Sequence, residues 1–450
     1  MGNHTSKLPD DQRVVVTGAG WVTPLGNDID SVWDRLLKGE SAVAPITHFD
    51  ASTFATNFAA EVTEFNLSDF FDDHGVHHTA GLSTQYALAA CHNAFKAANL
   101  DTNPVDPTRI GIYLGAGEGV LDYEPYMAAN VAAWDHDARA FDSKTWAEHA
   151  YKGMTPAPEL EQEPQLTALH LAKRFNAQGP NLNCMTACAA STQAIGEAAE
   201  LIRQGEADIM IAGGCHAMIH TLGITGFIRL TAMSTRRDDP ASASRPFDVT
   251  RNGFVMGEGA GIVILESLSS AKSRGANILA EVSGFGSTAD AYRITDIHPD
   301  GQGGAGAMQM ALDQAGINPA DLDDNGRPLV HWINAHGTST QENDKTESNA
   351  VRSVFKDNAT QVPFSSVKSM LGHLIQAAGA VEFITCLKAI ETGVIPPTAN
   401  LKEVDPICGL DHIPGEARDC NPIGGVTTTL SNSFGFGGQN DCVCLTKYTG

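Results

Sequence analysis

A chain of 450 residues, 42% hydrophobic and 18% charged, has apolar material for a large core, which excludes a disordered polymer and a disulfide-stapled miniprotein. The net charge of -24 disfavours nucleic acid and anionic membrane surfaces, and an acidic partner would need a local basic patch working against that field. Nine cysteines without CxxC pairs or regular spacing read as reduced thiols of a cytoplasmic protein, and no run approaches the roughly 18 apolar residues of a membrane span.

Residues 1–10 read as a flexible leader; Met1-Gly-Asn-His-Thr-Ser6 matches a myristoylation start and Asn3-His-Thr5 a sequon, patterns that arise easily by chance. Arg13 to Gly20 is a β-branched run closed by glycines, the pattern of a buried strand entering a loop. Further strands are expected at Arg109 to Leu114, Asn181 to Cys184, Asp208 to Ala212 and Gly261 to Leu265. Residues about 120–165, with aromatics, acids and prolines, read as an inserted cap or loop region. A helix is predicted from Ala189 to Arg203, with Ile195, Ala198, Ala199 and Ile202 at helical spacing. Ile278 to Gly286 repeats the opening pattern, followed by strands at Val330 to Asn334, Val426 to Leu430 and Asp441 to Leu445 and a helix over Ile375 to Ile390. Alternating strands and helices make an α/β protein with buried sheets, and the twin openings raise an internal duplication.

Four segments carry chemistry. In Met185-Thr-Ala-Cys-Ala-Ala-Ser-Thr192 a cysteine stands between strand and helix, where unpaired N–H groups and the helix end favour a thiolate; the alternative is an inert buried thiol. Asn334-Ala-His-Gly-Thr-Ser-Thr340 sets His336 at the C-terminal end of a strand, where α/β sites form. Lys368-Ser-Met-Leu-Gly-His373 precedes the small residues Gln376-Ala-Ala-Gly-Ala380, suited to a closely packed helix. Asn432-Ser-Phe-Gly-Phe-Gly-Gly438 is a glycine-rich turn whose N–H groups could meet an anion or simply reverse the chain.

In this order, and with Ser234-Thr-Arg236, Ser244-Arg-Pro-Phe-Asp248 and Gly253-Phe-Val-Met-Gly-Glu-Gly-Ala-Gly261, the segments resemble the beta-ketoacyl-acyl-carrier-protein synthases from about residue 12 to 446, closest to the elongating kind. The resemblance implies an α/β thiolase-like fold: two similar halves, 11–270 and 271–450, in five layers αβαβα, in a homodimer paired through Asn181 to Cys184. It implies Cys188 as the acyl-carrying nucleophile and the N–H groups of Cys188 and Phe436 as oxyanion hole. His336 and His373, as neutral donors, would stabilise the enolate left by decarboxylation, supported by Lys368 and Glu347. Thr338 and Thr340 would contact the pantetheine arm, and Phe434, Phe436, Glu118 and Phe227 the acyl substrate. No cofactor is implied beyond the phosphopantetheine arm of an acyl carrier protein, the expected partner.

Cys-His-His separates this group from the Cys-His-Asn initiating synthases, and the strand-like Cys442 and Cys444 lack the motif of the second cysteine of degradative thiolases. Polyketide or unusual-lipid ketosynthases share the same chemistry, and a silent chain-length partner subunit would lack Cys188. Two departures stand out. Glu118 replaces an aliphatic pocket residue and is expected either to polarise the acyl pocket or to cap backbone. The segment Asp72-Asp-His-Gly-Val-His-His78, basic in familiar relatives, is a solvated turn or moves carrier docking to Arg229, Arg236 or Arg237.

Overall fold

A computed structural model of the chain describes residues 8–103, 105–117, 123–294 and 297–450. Its first strand, β1 (Val14–Val22), is buried at all nine positions, because it has a strand on each edge and helices on both faces; such a strand reads as a continuous apolar run. The other strands of the main sheet are β2 (Ile110–Ala116), β3 (Asn181–Cys184), β4 (Ile209–His216), β5 (Gly259–Ser267), β6 (Ala280–Ala289), β7 (Trp332–Asn334), β8 (Pro363–Ser365), β9 (Asp411–His412), β10 (Thr428–Gly435) and β11 (Gln439–Thr446). All nine strands expected from the sequence are present; β8 and β9, three and two residues long, were too short to show a period.

The strand order is β9-β8-β7-β10-β11-β6-β1-β5-β4-β2-β3. From β1 outward, the first five strands run in the chain order first, last, fourth, second, third. From β6 outward the same order recurs, with β9 added at the far edge. Directions agree too: β1–β5–β4 and β6–β11–β10 are antiparallel, and the strands beyond them are parallel. The two sets join only at Val15↔Glu281 and Val16↔Ala280.

Helices complete the layers. α1 (Leu82–Ala97) and α2 (Gln165–Phe175) cover the first set from outside, α4 (Gln302–Ala315) and α5 (Gln341–Phe355) the second. α3 (Ala190–Arg203) and α6 (Ala378–Thr392) lie between the sets, touching strands of both, so the fold is five-layered αβαβα. The small residues in the first turn of α6 permit that fit: a Cβ on Gly379 would stand 1.9 Å from Thr192 Oγ1, and Ala380 N–H donates to Ser191 Oγ at 2.9 Å. The segment read as cap or loop is mainly helical, with helices Tyr123–Ala133, Ser143–Gly153 and Pro156–Leu160 and a small hairpin at Trp134–Asp135 and Ala140–Phe141. All nine cysteines are unpaired, and among the described residues no helix is long and apolar enough to cross a membrane.

At the join, Arg13 donates two hydrogen bonds to Glu281, at 3.0 and 2.7 Å, both side chains being buried. Removing one partner strands the other charge, so Arg13→Ala is expected to lower the unfolding free energy by about 3 kcal/mol, with Arg13→Lys recovering part of it. Chemical unfolding of the three proteins measures this; a loss below about 0.5 kcal/mol, the level of an ordinary surface change, would show that the pair does not hold the join.

Candidate active site

After β3 the chain makes a tight corner: Ala187 has φ of 50°, a one-turn helix spans Ala187–Ala189, and α3 starts at Ala190. The corner fits because β2 carries a glycine beneath it; a Cβ on Gly115 would stand 2.4 Å from Ser191 N. Cys188 at the corner is 5% exposed. Burial pushes its thiol up to about 11, against the opposing pull of the Lys368 charge and the N–H groups of Phe436 and of Cys188 itself. The thiolate expected from the helix end is therefore corrected to a resting thiol: desolvation outweighs the backbone donors. Those two N–H groups nonetheless converge on the sulfur from different loops.

His336 follows β7 on a loop held from α5. Glu347 accepts the backbone N–H groups of His336 and Gly337, both at 2.8 Å, and the Asn432 amide at 3.1 Å. It grips the loop rather than the imidazole, and burial pushes its carboxyl up to about 7. His373 follows the short helix Lys368–Leu371, its N–H bonded to Val255 O at 2.7 Å. Its Nδ1 accepts from Ile375 N–H at 3.3 Å, which leaves the ring proton on Nε2. The rings lie 5.4 Å apart at 84°. Burial, then the Lys368 charge, holds both well below the usual histidine range, so both are neutral.

Cys188 Sγ and one nitrogen from each histidine all lie within 4.8 Å of one another. His336 Nδ1 and His373 Nε2 are buried without hydrogen-bond partners. A metal could draw on this donor set only by displacing the proton from His373 Nε2, because Nδ1 is engaged by a backbone donor. Lys368 Nζ is paired with Glu382 on α6, both buried. The sequence reading missed Glu382; its signal was the one charged residue in the first ten of α6.

A cavity of about 650 Å³ opens onto this group, lined by Cys188, His336, His373, Thr338, Thr340 and Phe436 among others. Thr338 and Thr340 hydroxyls are 3.0 Å apart, and Thr340 also caps α5 through Asn343 N–H. Phe434, expected at the substrate, instead packs behind His336, ring centroids 5.8 Å apart, and does not line the cavity. Phe227 packs edge-on to Phe254 at 5.7 Å, in the apolar cluster that contains Cys188, Ile219 and Ile224. Glu118 lies outside the described residues. Next in sequence to the cavity-lining Leu230, Arg229 is exposed; Arg237 is exposed and donates to Ala55 O at 3.0 Å, while Arg236 is half-buried 3.8 Å from Asp238. The segment 72–78 is only partly a solvated turn: Asp73 is held by Arg174 at 2.6 Å, and buried His77 meets His170, which bonds Glu161 at 3.0 Å.

Residues 11–271 match the family described as beta-ketoacyl synthase, N-terminal domain, and residues 279–402 the beta-ketoacyl synthase, C-terminal domain. The chain is 39% identical over 441 residues to the 3-oxoacyl-[acyl-carrier-protein] synthase 2 of Staphylococcus aureus (strain COL), covering 98% of this chain and all of that one. Among solved structures, a beta-ketoacyl synthase from Burkholderia phymatum STM815 superposes with a TM-score of 0.84 at 32% identity, covering 97% of this chain and 100% of that one. A type II PKS ketosynthase, solved in complex with its acyl-carrier protein and bound to the hexaketide, superposes at 0.82 with 32% identity, covering 97% and 99%. Since both halves of the family align in order along the sheet that carries the cysteine and the two histidines, the chain belongs to the beta-ketoacyl synthase family of condensing acyltransferases.

Proposed function

We propose that this chain catalyses the elongation step of fatty acid synthesis, the decarboxylative condensation of an acyl group held on Cys188 with malonyl-acyl carrier protein. The observation that carries it is the convergence of Cys188 Sγ with two neutral histidines on the wall of a cavity of about 650 Å³. Cys188 gives up its proton and attacks the acyl thioester; the N–H groups of Cys188 and Phe436 hold the oxyanion, and the carrier thiol leaves protonated. Malonyl thioester then enters, its carbonyl held by the imidazole N–H donors of His336 and His373. Its carbon–carboxylate bond breaks, carbon dioxide departs, and the electron pair becomes an enolate. The enolate carbon attacks the acyl carbon, a carbon–carbon bond forms, and the Cys188 thiolate leaves and regains a proton.

Burial, with the charge of Lys368 added to it, keeps the histidines unprotonated, Glu382 holds the lysine in place, and Glu347 fixes the His336 loop. Thr338 and Thr340 line the path of the phosphopantetheine arm, which brings the substrates without any further cofactor. Phe436 gates the acyl pocket, with Phe227 in its apolar wall. The two strand sets correspond to halves 11–270 and 271–450. A homodimer would form through β3, which lies at the sheet edge with its own Leu182 and the following Met185 exposed. A cytoplasmic location agrees with nine unpaired cysteines. The full-length match to a 3-oxoacyl-[acyl-carrier-protein] synthase 2 at 39% identity supports fatty-acid elongation as the role.

The test is condensation by the purified protein with acyl- and malonyl-carrier proteins. Expected are a β-ketoacyl carrier two carbons longer and one carbon dioxide per turnover; an unextended acyl chain would refute the function. In the same assay Arg229→Glu with Arg237→Glu is expected to raise the KM for carrier protein about tenfold with kcat little changed, since both are exposed cations on a chain of net negative charge and an acidic carrier needs a local basic patch. An unchanged KM would place docking elsewhere.

A further inference from the structure

Three metal-ligating side chains meet on one cavity wall. Cys188 Sγ and one ring nitrogen each from His336 and His373 lie within 4.8 Å of one another, and all three residues line the cavity of about 650 Å³. They come from separate segments, following β3, β7 and the short helix Lys368–Leu371. The three residues are 5%, 2% and 2% exposed. His336 Nδ1 and His373 Nε2 are buried without a hydrogen-bond partner, so no protein group competes for them. A small ligand entering from the cavity meets all three side chains together.

A thiolate with two neutral imidazoles is a donor set that suits zinc, and three protein ligands beside an open cavity leave the fourth tetrahedral position to water. Two features oppose binding. Burial pushes the Cys188 thiol up to about 11, but a divalent ion deprotonates a coordinating thiol outright, and the proton leaves to solvent. His373 Nδ1 accepts from Ile375 N–H at 3.3 Å, so coordination through Nε2 moves the ring proton to Nδ1 and breaks that bond. This costs about tenfold to a hundredfold in affinity, small against the many orders of magnitude that a thiolate and two imidazoles supply. His336 carries no such cost, since no partner fixes its proton at Nδ1. The nearby Lys368 charge is paired with Glu382, and a chain of net charge -24 draws cations towards its surface.

We infer that Cys188, His336 and His373 form a binding site for zinc, and that the ion, by engaging the sulfur, reversibly silences Cys188 as a nucleophile. Binding needs only these three side chains. Its inhibitory effect on condensation rests on the proposed acyl-carrying role of Cys188, so the two are measured separately.

The experiment uses the full-length protein in metal-free buffer. Cobalt(II), which takes tetrahedral zinc sites and absorbs light, is expected to give a near-ultraviolet thiolate charge-transfer band that added zinc removes. Cys188→Ala is expected to lack the band. In competition with a chromophoric chelator, Cys188→Ala and His336→Ala are each expected to bind zinc at least about a hundredfold more weakly than the wild type. Zinc is also expected to shield wild-type Cys188 from iodoacetamide, counted by mass spectrometry, until a chelator is added. Unshielded labelling at saturating zinc would overturn the inference without any variant needing to fold, and so would a zinc affinity that both variants retain. If zinc shields Cys188 while the protein still takes up acyl groups from carrier protein, the metal site stands and the acyl-carrying role of Cys188 falls.

Discussion

Cys188→Ala is expected to abolish acyl loading and to reduce condensation at least about a thousandfold, because both half-reactions pass through its sulfur. No neighbouring thiol can take over. Cys184, on the strand leading into the corner, bonds Ala190 O at 3.2 Å through its Sγ, and burial pushes its thiol up to about 12. Intact-protein mass spectrometry after incubation with acyl-carrier protein reads the adduct directly, and undiminished acylation of the variant would sink the assignment. A pH dependence belongs to the same prediction. Because burial pushes the Cys188 thiol up to about 11, its thiolate fraction at neutral pH is small and rises about tenfold per pH unit. Iodoacetamide labelling of Cys188 should climb in that proportion between pH 7 and 9. A flat profile would mean that the thiolate is already formed, and that the backbone donors outweigh burial.

His336→Ala and His373→Ala should leave acyl loading in place and slow malonyl decarboxylation by about a hundredfold to a thousandfold each, the usual loss for one donor to a developing oxyanion. The structure separates these rings from the scaffolding around them. Glu347 binds the backbone of the His336 loop, so truncating that imidazole leaves the loop's anchor intact. His373 is likewise held through its backbone, to Val255 O, and only the Ile375 N–H loses its acceptor. Rapid-mix loading and carbon dioxide release would be measured on each variant. Equal loss of loading in both would contradict the division of labour. His373→Gln, which keeps a donor near the position of Nε2, should recover part of the release.

Much of this was legible in the sequence because strand ends carry their own marks: β-branched runs closing in glycine gave β1 and β6, and the Cys, His and His segments each stand where a strand or short helix stops. What escaped depends on distances across the fold. The pairing of Lys368 with Glu382 joins two segments of one buried helical region, whereas the sequence reading associated Lys368 with Glu347. Phe434 and Phe436 are two apart in one turn, yet one packs behind His336 and the other faces the cavity, an alternation set by the end of β10. The resting state of Cys188 also escaped, since its neighbours in sequence supply donors while its burial comes from elements far along the chain.

The narrow join between the strand sets has a consequence for synthesis on the ribosome. β1 emerges well before its two partners β5 and β6, so Val14 waits for Ser267 and Val16 for Ala280. At translation speeds of about 5–20 residues per second the opening apolar strand stays without its edges for roughly 13 seconds or longer. Over that interval it depends on cover from α1, which emerges long before β5 and packs on its face. β6, by contrast, leaves the ribosome with β1 already available as an edge, so the second strand set can grow as a vectorial addition to the first.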